Sequence, residues 1–238
     1  MKKVNAIILI GSPGSGKTSI AQRFADHDQF EIYETGCMLR DEIESESGLG
    51  KKLEPYLKSG RLAPTKLVLK VMHKQIKHLN SGNAIFDGSP RRMEETTPFL
   101  ELLKENYMDL LKVILFQTDE RVAAKRLISR RICINCGHIF NIYYNPPVVN
   151  GLCDRCGALL DRRDDDNEKA IEKRLNQFEK YTKPVIKFLE REYPDKIFTI
   201  RTENPLDLVY KEVWTEVNRE ELMRKADLKS NKKIAGWG

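Results

Sequence analysis

The 238-residue sequence predicts an α/β fold in three layers, a mostly parallel sheet covered by helices on both faces. Three observations predict it. Short apolar runs of strand length alternate with segments of helical patterning. A glycine-rich turn joins the first run to the first helix. Two segments, one rich in charge and glycine and one rich in cysteine, interrupt the alternation as insertions would.

Residues 5–10 form the first apolar run, 11–18 the glycine-rich turn, and 18–25 have helix-like composition. Further strands are expected at 84–87, 111–117 and 196–200, with a shorter one at 31–33. The core is thus expected to comprise 1–35, 65–128 and 167–219, with ligands gathered at the carboxyl ends of its strands. The first insertion, 36–64, shows short helical pieces at 38–46 and 51–58. The second, 129–166, contains four cysteines, Pro146 and Pro147, and a β-like run at 139–144. Residues 220–238 are lysine-rich and read as a helix end fraying into a basic tail.

With 40% hydrophobic residues the chain can bury a core, which excludes wholesale disorder. A net charge of +6 suits a polyanionic partner without choosing among nucleic acid, an acidic membrane surface and nucleotide phosphates. No apolar run approaches the roughly 20 residues that cross a bilayer, and Met1-Lys2-Lys3 leads straight into the first strand, so a cytoplasmic location is expected. Four of the five cysteines form two Cys-x-x-Cys pairs, a pattern that in an intracellular chain points to metal. Cys37 stands apart and is expected to pack rather than react.

Gly11-Ser12-Pro13-Gly14-Ser15-Gly16-Lys17-Thr18 fits the phosphate-loop pattern, two glycines bracketing four residues before Lys and Thr. Small residues let successive backbone N–H groups curl around phosphate oxygens, and the following helix points its positive end at them. Lys17 would bridge the β- and γ-phosphates and Thr18 would hold Mg²⁺. A chance glycine turn is the plainer alternative, but a strand before and a helix after argue against it. The pairs Cys133/Cys136 and Cys153/Cys156 could close a tetrahedral thiolate site. Gly137 and Gly157 follow them as knuckle glycines. Such a site has no open position, so a zinc ion there would be structural. Free or disulfide-linked cysteines are the alternative, and four thiolates leave His138 no place in the shell. Arg40, Arg91, Arg126, Arg130, Arg163 and Arg174 would pass as solvated surface residues alone. Beside a phosphate loop they become candidate cations for a transferring phosphoryl group.

With these residues in view the chain resembles the adenylate kinases from about Lys3 to Thr202. The loop has that family's Gly-x-Pro-Gly-x-Gly-Lys form, and Thr35-Gly36-Cys37-Met38-Leu39-Arg40 is similar to the opening of its monophosphate-binding insertion. Asp87-Gly88-Ser89-Pro90-Arg91 is similar to its Asp-Gly-Phe-Pro-Arg segment. Arg130-Arg131, Asn145-Pro146-Pro147, Arg163-Asp164-Asp165-Asp166 and Lys173-Arg174-Leu175 match its long lid.

The resemblance implies a phosphate-loop core, a monophosphate-binding insertion at 36–64, a zinc-ribbon-like lid at 129–166, and reversible transfer from MgATP to AMP giving two ADP. It implies catalytic roles for Lys17, Arg126, Arg130, Arg163 and Arg174. ATP would meet Gly11, Gly14, Ser15, Gly16, Lys17, Thr18, Arg126 and Arg130. AMP would meet Thr35, Arg40, Gly88, Arg91, Glu95, Arg163 and Arg174. Thr18 and Asp87 would serve Mg²⁺, and Asp165 or Asp166 would orient the lid arginines. The implied partners are the two nucleotides and no membrane or nucleic acid, with the chain a monomer.

Three departures from the family pattern, Cys37 for Asp, Ser89 for Phe and Glu95 for Gln, fall near the acceptor base and leave the phosphate machinery intact. The last strand is followed by Arg201-Thr202 where the family has glycine. An ionised Glu95 only accepts hydrogen bonds, which would oppose adenine N1 and suit guanine, so GMP is the first alternative acceptor. AMP stays ahead if Glu95 turns to solvent or if burial keeps it protonated. A non-enzymatic nucleic-acid-binding zinc protein is the alternative from another class. It would need exposed aromatics among the basic residues, and the tail offers only Trp237.

Overall fold

The computed structural model describes residues 4–28, 30–76, 82–163, 166–219 and 222. Its elements in chain order are β1 (Val4–Gly11), α1 (Lys17–Asp28), β2 (Glu31–Glu34), α2 (Thr35–Glu44), α3 (Gly48–Lys58), α4 (Thr65–Ile76), β3 (Asn83–Asp87), α5 (Met93–Glu105) and β4 (Met108–Gln117). There follow α6 (Glu120–Ile128), β5 (Arg130–Cys133), β6 (Ile139–Asn141), β7 (Leu160–Asp161), α7 (Glu168–Gln177), α8 (Lys183–Glu192), β8 (Ile197–Arg201) and α9 (Leu206–Val217). Most of the expected basic tail and both Asp164 and Asp165 lie outside the described residues.

Five strands form one parallel sheet in the order β2-β3-β1-β4-β8. The central strand explains its own place. Ala6, Ile8 and Ile10 point to one face, where they join Leu53, Met72, Phe86, Phe99 and Val185. Ile7 and Leu9 point to the other, against Ile20, Phe24, Ile114 and Val213. A strand buried on both faces needs an unbroken apolar run, and the period of two divides that run between the helical layers. Because every strand runs the same way, Glu34, Asp87, Gly11, Gln117 and Arg201 all reach one edge of the sheet, with Leu9 beside Asp87 and Gly11 beside Phe116.

The expected strands are present, four with longer bounds and the last, expected at 196–200, moved by one residue to Ile197–Arg201. Strand β4 starts at Met108 rather than 111, since Val4 of β1 pairs with Met108 and carries the ladder past Asp109. Helix α2 starts at Thr35, directly off β2, three residues before the helical piece expected at 38. The β-like run at 139–144 stops at Asn141. There the Asn141 side-chain oxygen accepts from the Tyr143 and Tyr144 amides at 3.1 and 3.2 Å, turning the chain instead of extending it. Cys37 is exposed on α2, so the packing expected of it does not hold. Its Sγ lies 3.7 Å from both Asp41 carboxylate oxygens, and desolvation with the Glu34 and Asp41 charges raises its thiol pKa.

Two inserted pieces frame the sheet edge. Helices α2 and α3 meet where Gly50 faces the Glu42 carbonyl, and Glu42 itself is buried between Ser47 at 2.5 Å and Lys74 at 2.9 Å. The second piece is a small antiparallel sheet, β6-β5-β7. Behind it α7 runs through one π-helical turn, Phe178–Thr182, into α8. Pro184 lacks an amide proton and cannot continue the α-helical ladder, which accounts for the wider turn before it. Among the described residues no helix is long and apolar enough to cross a membrane.

Candidate active site

The sheet edge opens into a cavity of about 530 Å³. Every nucleotide- and Mg²⁺-facing residue expected from the sequence lines it, while the four cysteines and Asp166 do not. The loop 12–16 owes its shape to Gly14 and Gly16, both in the left-handed region at φ 81° and 89°. A Cβ on Gly14 would also stand 2.4 Å from the Ala123 carbonyl. Lys17 Nζ donates to the carbonyls of Gly11 and Ser12 at 2.9 and 2.8 Å and to Ser15 Oγ at 3.0 Å, which holds the ammonium inside the loop. Burial lowers its pKa to about 8; Asp87 opposes that shift and Arg91, Arg174 and Arg130 add to it. The Thr18 hydroxyl donates to Asp87 Oδ2 at 2.5 Å, and Asp87 is buried at the end of β3 with its pKa raised by desolvation against the pull of Lys17. Two hard oxygen donors side by side next to a phosphate loop fit a Mg²⁺ carried by a nucleotide.

Asp166 organises the opposite wall. It is 1% exposed and accepts from Arg130 Nε at 2.7 Å, Arg130 Nη2 at 2.5 Å and Arg174 Nη1 at 3.1 Å. Of the two aspartates expected to orient the lid arginines, Asp166 makes these contacts and Asp165 lies outside the described residues. Glu34 was not foreseen. Standing at the end of β2, it faces Arg40 at 3.2 Å and Arg163 at 3.7 Å, tying one arginine from each inserted piece to the sheet. Its only signal in the sequence is its place one residue before Thr35, at a strand's carboxyl end.

Arg91 is braced by its own neighbours. Its Nε donates to the Gly88 carbonyl at 2.6 Å, and a Cβ on Gly88 would lie 2.5 Å from its Nη2. The Arg91 amide donates to Glu95 Oε2 at 3.2 Å. Glu95 is 4% exposed, so the possibility that it turns to solvent is removed, and burial raises its pKa. Thr35 and Ser89 share a 2.8 Å hydrogen bond beside it. Arg126 donates to the Thr202 carbonyl at 2.5 Å and to its hydroxyl at 3.2 Å, with its guanidinium 5.1 Å from the Tyr144 ring centre. Thr202, which stands where a glycine was missed in the sequence, thus anchors an arginine.

The four cysteines converge away from this cavity, their sulfurs all within 4.8 Å of one another. Cys133 to Cys156 spans 3.4 Å and Cys136 to Cys153 spans 3.6 Å, near the roughly 3.8 Å edge of a tetrahedron with Zn–S of about 2.3 Å. A disulfide would need about 2.05 Å. Gly137 and Gly157 take φ of 69° and 73°, and their amides donate back to the Cys133 and Cys153 carbonyls at 3.1 and 2.8 Å, closing two equivalent knuckles. The donor set fits a soft divalent ion with no open position. His138 contributes no atom to the cluster.

Comparison with known proteins agrees with this geometry. The family model described as adenylate kinase matches residues 9–193. A protein named adenylate kinase from Thermosipho africanus (strain TCF52B) is 36% identical over 214 residues, covering 90% of this chain and 99% of that one. Another so named, from Thermococcus kodakarensis (strain ATCC BAA-918 / JCM 12380 / KOD1), is 33% identical over 211 residues, 89% of this chain and 91% of its own length. A third, from Borrelia duttonii (strain Ly), is 36% identical over 183 residues, 76% and 84%. Phosphate loop, arginine walls, cysteine knuckles and similarity along most of the chain lead to one conclusion: the chain belongs to the adenylate kinase family.

Proposed function

We infer that this chain is a nucleoside monophosphate kinase that moves the terminal phosphoryl group of MgATP reversibly to AMP. The observation that carries the reading is the convergence of Lys17, Arg40, Arg91, Arg126, Arg130, Arg163 and Arg174 on one cavity at the sheet edge. Phosphoryl transfer spreads charge over several oxygens, and catalysis rests on positioned cations more than on covalent chemistry. In this reading Lys17 and the loop amides hold the donor phosphates, while Arg126, Arg130, Arg163 and Arg174 surround the group in flight. Arg40 and Arg91 clamp the acceptor phosphate. Thr18 and Asp87 hold the Mg²⁺ that arrives with the nucleotide and neutralises its phosphates. No general base is assigned, because the attacking phosphate oxygen is already ionised near neutral pH.

Helices α2 and α3 serve as the monophosphate-binding insertion and residues 129–166 as a lid held by structural zinc. The chain works as a monomer, since one cavity within it carries both sets of phosphate-facing cations. Thiols arranged for a metal rather than for disulfides suit a reducing cytoplasm. Nucleic-acid binding is not favoured. The test is a coupled phosphotransfer assay with ATP against AMP, GMP, CMP and UMP. Turnover with AMP supports the reading, and no turnover with any of the four overturns it.

A further inference from the structure

Glu34 brings a carboxylate to the line along which the two cationic walls of the cavity meet. It ends β2, in register with Asp87 of β3, and its side chain is 18% exposed. Oε1 accepts from Arg40 Nη2 at 3.2 Å and stands 3.7 Å from Arg163 Nη2. A single oxygen therefore serves one arginine from each inserted piece. The pair with Arg40 lies close against the start of α2, since a Cβ on Gly36 would stand 3.2 Å from Arg40 Nη1 and 3.5 Å from Glu34 Oε1. Neither arginine belongs to the apolar core, so the contact supports no packing there; both of its partners are groups that face phosphate.

Two guanidinium groups drawn to one oxygen are like charges at close range, and they repel unless an anion stands between them. Glu34 is that anion. A guanidinium carries five N–H donors, so holding one carboxylate oxygen and a phosphate at once is within its capacity. The arrangement has a cost as well as a use. The acceptor phosphate and the carboxylate are both anions drawn to the same two cations, so each weakens the hold on the other. We propose that Glu34 is a positioning residue for phosphoryl transfer, whose carboxylate sets Arg40 and Arg163 side by side where the acceptor phosphate meets the group in flight, and lowers acceptor affinity in doing so. It acts through the two arginines and forms no bond with the reacting atoms. Orientation of this kind weighs heavily in the rate, because a displacement of about 1 Å in a positioning group can cost about 10²-fold.

This rests on the phosphotransfer reading, and the test separates the two. Glu34→Gln keeps the size and an accepting oxygen and removes the charge. Two quantities are compared with the unaltered chain: the rate of transfer from ATP to AMP in a single turnover, which product release does not limit, and the affinity for AMP alone by calorimetry. The transfer rate should fall about tenfold while AMP binds about threefold tighter or more, the mark of a group that weakens the ground state and serves the transition state. A residue that merely supports the fold would not tighten AMP binding. In an Arg163→Ala background, Glu34→Gln should change the transfer rate by less than about twofold, because its effect passes through that arginine. An unchanged rate in Glu34→Gln, AMP binding that is unchanged or weaker, or a full loss of rate in the Arg163→Ala background overturns the proposal and leaves phosphotransfer in place. No turnover by the unaltered chain overturns both. Should Glu34→Gln fail to fold, Glu34→Asp decides, since it keeps the charge and shortens the reach. Its transfer rate should fall with AMP affinity within about twofold of the parent, and a parental rate overturns the proposal.

Discussion

Lys17 is held by two carbonyls and a hydroxyl inside its loop, so its charge serves the cavity without supporting the core. Lys17→Ala should therefore stay folded while kcat drops by about 10²-fold or more, the scale of losing one transition-state contact; activity within threefold of the parent would sink the assignment. Glu95 shows the opposite balance, because it is a buried charge site on a core-facing helix. Its folded pKa is raised above the unfolded value by burial, so between the two values the native state binds more protons than the unfolded one, and stability falls as pH rises through that window. Each unit of separation is worth about 1.4 kcal/mol. Glu95→Gln removes the titration, and its melting temperature relative to the parent should climb with pH, whereas a constant difference between acid and alkaline buffer would place the carboxyl in solvent. These positions were legible in the sequence for different reasons. Lys17 stands in a spacing that chemistry repeats, and Glu95 stands out as a departure from a pattern. Glu34 was not legible, because an acid pairs with Arg40 and Arg163 only once two segments far apart in sequence are folded together.

At the scale of elements, the parallel strands could be read because apolar runs buried on both faces leave an unbroken signal, as at Ala6 to Ile10. Their ends could not, since pairing such as Val4 with Met108 extends a strand past the apolar run. The start of α2 at Thr35 and the turn after Asn141 escaped for a like reason: each is set by a neighbouring element or a side-chain cap and not by composition. The α2–α3 contact gives a direct test. A Cβ on Gly50 would lie 2.2 Å from the Glu42 carbonyl oxygen and 2.8 Å from Ile43 Cα. Ala gains about 1 kcal/mol of helix propensity, but overlap with backbone cannot be relieved by a rotamer and costs about 1–3 kcal/mol. The clash should win, so Gly50→Ala should melt several degrees lower; a higher melting temperature would mean the helices separate freely. The cysteine knuckles carry the other test at this scale. Purified protein should hold about one zinc per chain, and a chelator should lower the melting temperature in a way that added zinc reverses. Protein that is metal-free as purified and indifferent to chelator would remove zinc from the lid.

The whole molecule joins two cationic walls that belong to different pieces of chain. Arg40 and Arg91 approach from the α2 and α5 side, while Arg130 and Arg163 come with the small sheet and Arg174 with α7. The first piece shares the apolar core through Met38, Leu39 and Leu53, whereas it meets α7, and the second piece meets α1, through polar groups. Gln177 Nε2 donates to the Gly60 carbonyl at 3.2 Å, Lys173 Nζ donates to the Ser59 carbonyl, and Gln22 of α1 meets the Gly137 carbonyl and the Ile139 amide, each at 3.3 Å. Arg155 pairs with Asp26 at 2.8 Å, both side chains partly exposed. Exposed ion pairs of this kind are worth about 0–1 kcal/mol, so these polar contacts between the second piece and α1 and between the first piece and α7 hold far more weakly than the sheet holds itself. Two nucleotides placing four or more phosphates between walls of like charge would supply the missing attraction and exclude water that would otherwise hydrolyse ATP. Closure should then appear as slowed amide hydrogen exchange in both 36–64 and 129–166 when a bisubstrate analogue joining two nucleosides through phosphates is added, at concentrations where ATP alone protects mainly the phosphate loop and the second piece. Protection confined to the loop 12–16 and the sheet edge with the analogue bound would show that the pieces do not close on the phosphates, and that their arginines reach the cavity only as this resting arrangement has them.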